Sequence, residues 1–285
     1  MKCFLCPRQC GIDRSIKPGF CKVGADPVVN LYKLHYGEEP LISGTKGSGT
    51  VFFSGCNLGC VFCQNHEISF TGKGTVYSPS ELSSIYSELE SLGAHNINLV
   101  TPMHFAPSVA ESLKMSSLSI PVAVNTGGYD SVDSLKLLNG LVDIYMPDFK
   151  FWSSSLSSKL SRVSDYREVC IAAIDEMYSQ VGPVVVDSDG LLKKGLIVRH
   201  LVLPGQLFDS KHILEYLCEK YSNNIYISLM SQYTPMPGVP EFINKPINPE
   251  HYWRLNDLLC DLGQTNAFVQ DISSVGDELI PDFKV

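Results

Sequence analysis

From residue 50 onward, short apolar runs alternate with stretches whose apolar residues recur every three or four positions. Runs at 50–54, 96–101, 121–125, 142–146, 195–203 and 225–230 read as strands. Between them the spacing predicts helices over 79–92, 107–115, 131–138, 154–160, 165–181, 210–221 and 248–262. In the first of these, Leu82, Ile85, Leu89 and Leu92 fall at helical spacing behind a cap at Ser78. A hairpin-like pair, 184–186 and 191–193 around Asp189-Gly190, interrupts the rhythm, and 267–270 reads as a short final strand. Strands alternating with helices predict parallel pairing through right-handed crossovers, in six units, two short of a closed eightfold barrel.

The first 49 residues follow no such period. Residues 1–27 hold four cysteines among Pro7, Gly11, Pro18, Gly19 and Gly24, too little apolar surface for a core of their own. Runs at 28–36 and 40–42, separated by Gly37-Glu38-Glu39, predict a hairpin, and Gly44 to Gly49 a flexible lead-in. The expected organisation is a cysteine-rich module and hairpin over 1–49, then an α/β unit over 50–285.

Composition narrows the class. Of 285 residues, 44% are apolar and 18% charged, which allows a sizeable core. A net charge of −8 with no basic run argues against nucleic acid and anionic membrane as partners. No apolar stretch approaches a membrane span, and the N-terminus lacks the apolar core of a signal peptide, so a cytoplasmic location is expected. Thiols stay reduced there, and clustered cysteines then suggest metal sites rather than disulfides.

Seven of the ten cysteines lie in the first 63 residues. Cys56, Cys60 and Cys63 have C-x3-C-x2-C spacing directly after the first strand of the alternating region. Three thiolates on one loop can grip three corners of a [4Fe–4S] cubane and leave the fourth iron open. The alternative is a structural zinc borrowing a fourth ligand such as His66; zinc sites favour C-x2-C pairs and four protein ligands. Cys170, Cys218 and Cys260 lie on helical patterns beside Ile171, Leu217 and Leu259 and read as inert core thiols.

This motif, with Phe62 just before its last cysteine, resembles the radical S-adenosylmethionine (SAM) superfamily, in the branch related to the pyruvate formate-lyase-activating enzyme. The resemblance implies a partial (β/α)6 barrel, matching the six units. It also implies a [4Fe–4S] cluster whose open iron binds the methionine amine and carboxylate of SAM. An electron from the cluster then yields a 5′-deoxyadenosyl radical that abstracts hydrogen from substrate. Phe62 would sit near the adenine, and Asn65, two residues past the last cysteine, is a further cofactor contact. Where many members carry Gly-Gly-Glu, this chain has Leu99-Val100-Thr101-Pro102, leaving Thr101 to offer its hydroxyl and carbonyl. Asn125-Thr126-Gly127-Gly128 resembles the activases' Asp-Thr-Asn-Gly, making Asn125 and Thr126 ribose or carboxylate contacts. Asp148-Phe149-Lys150 resembles Asp-Leu-Lys, and the run from Arg199 to Gly205 resembles Arg-x-Val-x-Pro-Gly. Asp148 and Lys150 gain cofactor roles and Arg199 a carboxylate contact by that likeness. Each also has a plainer reading, as a loop ion pair or a helix anchor. His104 and Gln232 follow strands too, where a surface or packing role serves as well.

Cys3, Cys6, Cys10 and Cys21 offer four thiolates for a second site, with structural zinc, an auxiliary [4Fe–4S] cluster or simple packing as the candidates. Three functions follow: an activase taking hydrogen from a glycine of a glycyl-radical-type partner, a radical enzyme acting on a small molecule or peptide, or a noncatalytic metal-binding protein. The first two require an electron donor such as flavodoxin or ferredoxin.

Overall fold

Alternate residues of each predicted strand carry apolar side chains to opposite faces, and these runs pair into one sheet. The computed structural model of the chain describes residues 2–271 and Phe283. Its strands are β1 (Val28–His35), β2 (Ser48–Phe53), β3 (Thr75–Val76), β4 (Ile97–Val100), β5 (Val122–Thr126), β6 (Ile144–Pro147), β7 (Val185–Val186), β8 (Leu192–Leu201), β9 (Tyr226–Met230) and β10 (Ala267–Val269). The helices are α1 (Pro40–Ser43), α2 (His66–Thr71), α3 (Pro79–Ser91), α4 (Ala106–Met115), α5 (Val132–Lys136), α6 (Ser154–Ser161), α7 (Tyr166–Val181), α8 (Leu207–Tyr221) and α9 (Pro249–Asp261).

The sheet order is β10-β9-β8-β6-β5-β4-β2-β1-β3, with β7 pairing β8 off this path. From β2 to β10 every neighbouring pair is parallel. Six strand–helix units and a seventh short parallel strand therefore form an α/β partial barrel, as the periodicity predicts. The expected hairpin before β8 is also present: β7 pairs antiparallel with its start. Among the described strands no pair joins β10 to β1 or β3, so the sheet does not close on itself.

Neighbouring residues on one strand serve different layers. Leu99 and Val124 pack outward with Leu82, Ile85, Leu89 and Val109 of α3 and α4. Ala123, Ile144, Met146 and Ile197 face inward and pack together. Burial of each such side chain is worth about 1.5–3 kcal/mol. The start of α3 is fixed by a reciprocal cap: Ser78 Oγ accepts from Glu81 N–H (3.3 Å), and Glu81 Oε2 accepts from Ser78 N–H (2.7 Å). Among the described residues, no helix is long and apolar enough to cross a membrane.

The region before β2 corrects two expectations. The run at 40–42 is not a strand; Pro40 opens the one-turn helix α1, since its fixed φ suits a first helical position. The antiparallel partner of β1 is β2 itself, with His35 opposite Ser48, so Ser48 and Gly49 belong to the sheet rather than to a lead-in. Ile42 of α1 packs with Ala123, Ile144, Met146, Leu192 and Ile197, filling the inside of the barrel at the strands' N-terminal end. One lone cysteine also differs. Cys170 and Cys218 are buried, but Cys260 is exposed, because Tyr252, Leu255 and Leu259 set the buried face of α9 and Cys260 turns away from it.

Candidate functional site

The loop after β2 is shaped by two glycines at positive φ, Gly55 (+83°) and Gly59 (+67°). A Cβ on Gly55 would strike the Cys21 carbonyl, so that position needs glycine both for its backbone and for a close approach. Between and beyond them, Cys56, Cys60 and Cys63 line a single cavity at the C-terminal end of the strands. Hydrogen bonds converge on the sulfurs. Leu58 N–H donates to Cys56 Sγ (3.3 Å), Ser161 Oγ to Cys60 Sγ (3.0 Å), and Ser69 Oγ lies 3.6 Å from Cys63 Sγ. Burial pushes the Cys60 thiol up to about 12, against the pull of Lys150, and raises Cys63 as well. Unligated, Cys60 and Cys63 stay protonated at neutral pH, so a metal binds here by displacing protons.

Among the described residues, no three His, Cys, Asp or Glu side chains close on one point as a single ion requires. Tetrahedral zinc at a Zn–S bond of about 2.3 Å holds its thiolates only about 3.8 Å apart. His66, the candidate fourth zinc ligand, is exposed and does not line the cavity. A cubane holds its outer ligands at separate corners. Three thiols lining one cavity without closing on a single point therefore fit a [4Fe–4S] cluster better than a mononuclear ion.

The same cavity is lined by Phe62, Asn65, Thr101, Asn125, Thr126, Asp148, Lys150 and Arg199, the residues to which the resemblance gives cofactor contacts. Phe62 is buried, with its ring set edge-on to Phe151 at 6.0 Å. Asn65 precedes α2 and accepts from Ser69 N–H through its carbonyl. Thr101 follows β4 at φ +59°, a left-handed conformation rare for a β-branched residue. Its N–H is held by the Asn125 carbonyl at 2.8 Å, and such strain concentrates at functional sites. Thr126 Oγ1 donates to Asp130 Oδ2 and accepts from Gly128 N–H, so one lone pair remains for a ligand.

Charges are arranged around Asp148. Lys150 Nζ contacts its Oδ2 at 2.5 Å and Arg199 Nε its Oδ1 at 3.0 Å. Burial alone would raise the Asp148 carboxyl, but Lys150 and Arg199 outweigh it and hold the group below its usual value. Burial would likewise lower Lys150 and Arg199, and Asp148 reverses both. Arg199 also donates to Asn125 Oδ1 (2.7 Å) and Glu38 Oε2 (3.2 Å). The Asp148–Lys150 pair is thus part of a half-buried network, not an isolated surface bridge.

Sequence reasoning missed several residues of this cavity. Glu38, placed by the pattern in a turn, reaches its floor. Gln64, Ser69 and His35 line it. Gln232, noted in the sequence as following a strand and weighed as a surface or packing residue, lines it too, its carbonyl accepting from Gln64 Nε2 at 3.0 Å. His104 packs instead: it is buried, with Nε2 on the Ser54 carbonyl at 2.9 Å. Arg8 spreads its guanidinium over four backbone carbonyls, of Asn57, Leu58, Ser161 and Arg162, at 2.8–2.9 Å. The only signal for Arg8 was its place inside a cysteine motif.

Cys3, Cys6, Cys10 and Cys21 come together beside this loop. Burial, then the charges of Cys21, Cys3 and Cys10, push Cys6 up to about 11 against a bond from Arg8 N–H. A Cβ on Gly19 would lie 3.3 Å from Cys21 Sγ and 3.6 Å from Cys10 Sγ. The Cys21 carbonyl accepts from Cys56 N–H at 3.3 Å, so the two cysteine sets are joined through the backbone.

A barrel of parallel strands carrying a three-thiolate loop at its C-terminal end defines a class of cluster-dependent enzymes. Residues 50–177 match the Radical SAM superfamily. The uncharacterized protein MJ0674 of Methanocaldococcus jannaschii is 30% identical over 261 residues, covering 87% of this chain and 71% of that protein. The chain belongs to the radical SAM superfamily. Among solved structures it is similar to Streptococcus suis SuiB, at 14% identity and a TM-score of 0.49, over 75% of this chain and 46% of that one. It is also similar to native anSMEcpe with bound AdoMet, at 13% identity and a TM-score of 0.48, over 73% and 57%. The chain spans about half the length of these two proteins.

Proposed function

We propose that this chain cleaves SAM reductively and directs the resulting radical to abstract hydrogen, as an activase does, from a glycine of a partner enzyme. The observation that carries this is the meeting of the three loop thiols and the eight proposed cofactor contacts, from Phe62 to Arg199, around one cavity. When bound, a [4Fe–4S] cluster supplies the electron that splits the sulfonium sulfur–carbon bond. Cys56, Cys60 and Cys63 hold it, and the donors from Leu58 N–H and Ser161 Oγ stabilise their thiolate charge. Phe62 and Asn65 flank the nucleoside, and Thr101 offers polar atoms where the superfamily often places an acid. Asn125, Thr126, Asp148, Lys150 and Arg199 orient the ribose and methionine ends. Residues 50–285 form the catalytic unit and 1–49 the module that braces its loop.

That the described strands do not close into a full barrel supports a protein substrate, since a loop can approach a barrel laterally where its strands are unpaired. A second reading, a small-molecule or peptide substrate, is favoured by the polar floor that His35, Glu38 and Arg199 make in the same cavity. Either way a flavodoxin or ferredoxin would deliver the electron. Cys3, Cys6, Cys10 and Cys21 act as a second thiolate site for an auxiliary [4Fe–4S] cluster or for zinc, the latter requiring that the thiolates draw closer together than they stand here. This reading is supported by the charges of Cys21, Cys3 and Cys10 acting on Cys6.

Anaerobically reconstituted, reduced protein should convert SAM to 5′-deoxyadenosine, and Cys60→Ala should abolish both product and the cluster's visible absorption. Product formation that survives in Cys60→Ala would refute the assignment. Metal analysis of a Cys56/Cys60/Cys63 triple alanine variant should find residual zinc or iron at the N-terminal site, and a metal-free protein would remove that site.

A further inference from the structure

Of the charged groups around Arg199, Glu38 and its neighbour Glu39 are not carried by the strand–helix units, and of these two Glu38 is the one that contacts the guanidinium. Glu38 belongs to the segment joining β1 to β2, which enters the barrel from the end opposite the cysteine loop, because His35 pairs with Ser48 at the start of β2. That segment is fixed at several points. Ser43 Oγ accepts from Glu38 N–H (3.1 Å) and lies 3.3 Å from the Glu38 carbonyl. Asn96 Nδ2 donates to the Ile42 carbonyl at 2.7 Å, and Ile42 is fully buried in the barrel. Thus anchored, the Glu38 carboxyl has 9% side-chain exposure and lines the cavity that holds the cysteine loop. Asn98 Nδ2 meets its Oε1 at 3.1 Å, and Arg199 Nη1 meets its Oε2 at 3.2 Å.

Arg199 does not need Glu38 to stay in place. Its Nε is on Asp148 and its Nη2 on Asn125, which already fix the plane of the guanidinium. What Glu38 changes is charge. Asp148, Lys150 and Arg199 together carry one net positive charge, and an ionised Glu38 cancels it. Of the five N–H donors of Arg199, two remain for a ligand.

We propose that Glu38 is a specificity-determining residue: it sets the charge that Arg199 presents, so that the methionine carboxylate of SAM binds against Glu38's own charge. This rests on the reading of Arg199 as the carboxylate contact. The groups facing Glu38 are Arg199 from β8, Asp148 beyond β6, Glu39 beside it, and Asn98 from β4, with His35 on the same cavity wall. Burial raises the carboxyl to about 7, Arg199 pulling the other way. Glu38 therefore changes charge across the neutral range, and the carboxylate of SAM is accepted with uptake of a proton there.

The test is equilibrium dialysis of SAM against the cluster-loaded protein at pH 6 to 8. Wild-type affinity should fall as pH rises. Glu38→Gln, which keeps an acceptor for Arg199 without the charge, should bind SAM roughly tenfold more tightly than wild type at pH 8 and within about twofold at pH 6. Decarboxylated SAM, which lacks the carboxylate, should not distinguish the two proteins. Equal SAM affinity in both proteins across this range, weaker binding by Glu38→Gln, or an equal response to decarboxylated SAM would each overturn the proposal. Failure of the wild type to bind SAM at any pH would instead refute the functional reading beneath it.

Discussion

The barrel and the N-terminal segment are held by different forces. In the barrel, Leu99, Val124, Ile174 and Ile197 are fully buried, and apolar packing between strands and helices stabilises the fold. In residues 2–22 the only buried positions are Arg14, Gly19 and Cys21. Polar anchors take the place of a core there: Arg8 on four carbonyls of the cysteine loop and α6, Arg14 on those of Val23, Gly24 and His104. Arg8 also lies 3.8 Å over the Phe20 ring. A segment without a core can still be ordered if it satisfies buried carbonyls on a neighbour that has one.

The largest effect that sharpens this contrast is in the barrel. Leu99→Ala removes a fully buried side chain between the sheet and its covering helices and should cost about 2–5 kcal/mol in denaturant unfolding. A loss below about 1 kcal/mol would mean that the barrel is not held by its core. Arg8→Ala should cost less, about 2 kcal/mol, since four carbonyls lose a charged donor but several regain water. Its signature is local: protease should cut within residues 2–22 at low enzyme ratios while the barrel fragment survives. Equal resistance of wild type and variant would show that the anchors are not what orders the segment.

A third test uses pH where the two regions meet. His104 is buried under Arg14, and burial first, with Arg14 adding to it, lowers its imidazole to about 4, against the hydrogen bond it donates to the Ser54 carbonyl. A base whose folded value lies below its unfolded one binds more protons when unfolded. Its contribution is therefore full above about 6.5 and is lost as pH falls from there toward 4. At pH 5.5 the loss is about 1.4 kcal/mol. Burial raises Asp130 to about 6, and it and Glu38 contribute with the opposite sign in the same window. The measurement is thus the difference between wild type and His104→Gln, whose unfolding free energy should fall less steeply from pH 6.5 to 4.5. Parallel curves would place the titrating group elsewhere.

The barrel was legible because its signal is local. Alternation along 96–101 and 121–125, helical spacing of Leu82, Ile85 and Leu89, and the Ser78 cap each constrain one element without reference to the rest. The cavity-lining positions at strand ends were legible for the same reason, since position after a strand places a side chain at the barrel mouth. Glu38 was not, because its role depends on a segment folding back into the far end of the barrel, a contact between positions 161 residues apart. Arg8 was hidden likewise, its partners lying 49 to 154 residues away. The hairpin expected at 28–42 failed where Pro40 offered both a strand-end and a helix-start reading, and burial of Ile42 inside the barrel decided it.

The smallest predicted effect asks whether the N-terminal segment holds any apolar packing that matters. Ile16 is 80% exposed, in a turn where its N–H and that of Lys17 both reach the Asp13 carbonyl. Truncating a solvated side chain leaves no cavity, and the turn is made by the backbone, so Ile16→Ala should shift stability by less than about 0.5 kcal/mol. Its thiol content and protease resistance should match wild type. A loss above about 1 kcal/mol would mean that Ile16 is covered when the protein is in solution, and the contrast between a packed barrel and a polar-anchored segment would then have to be redrawn around that contact.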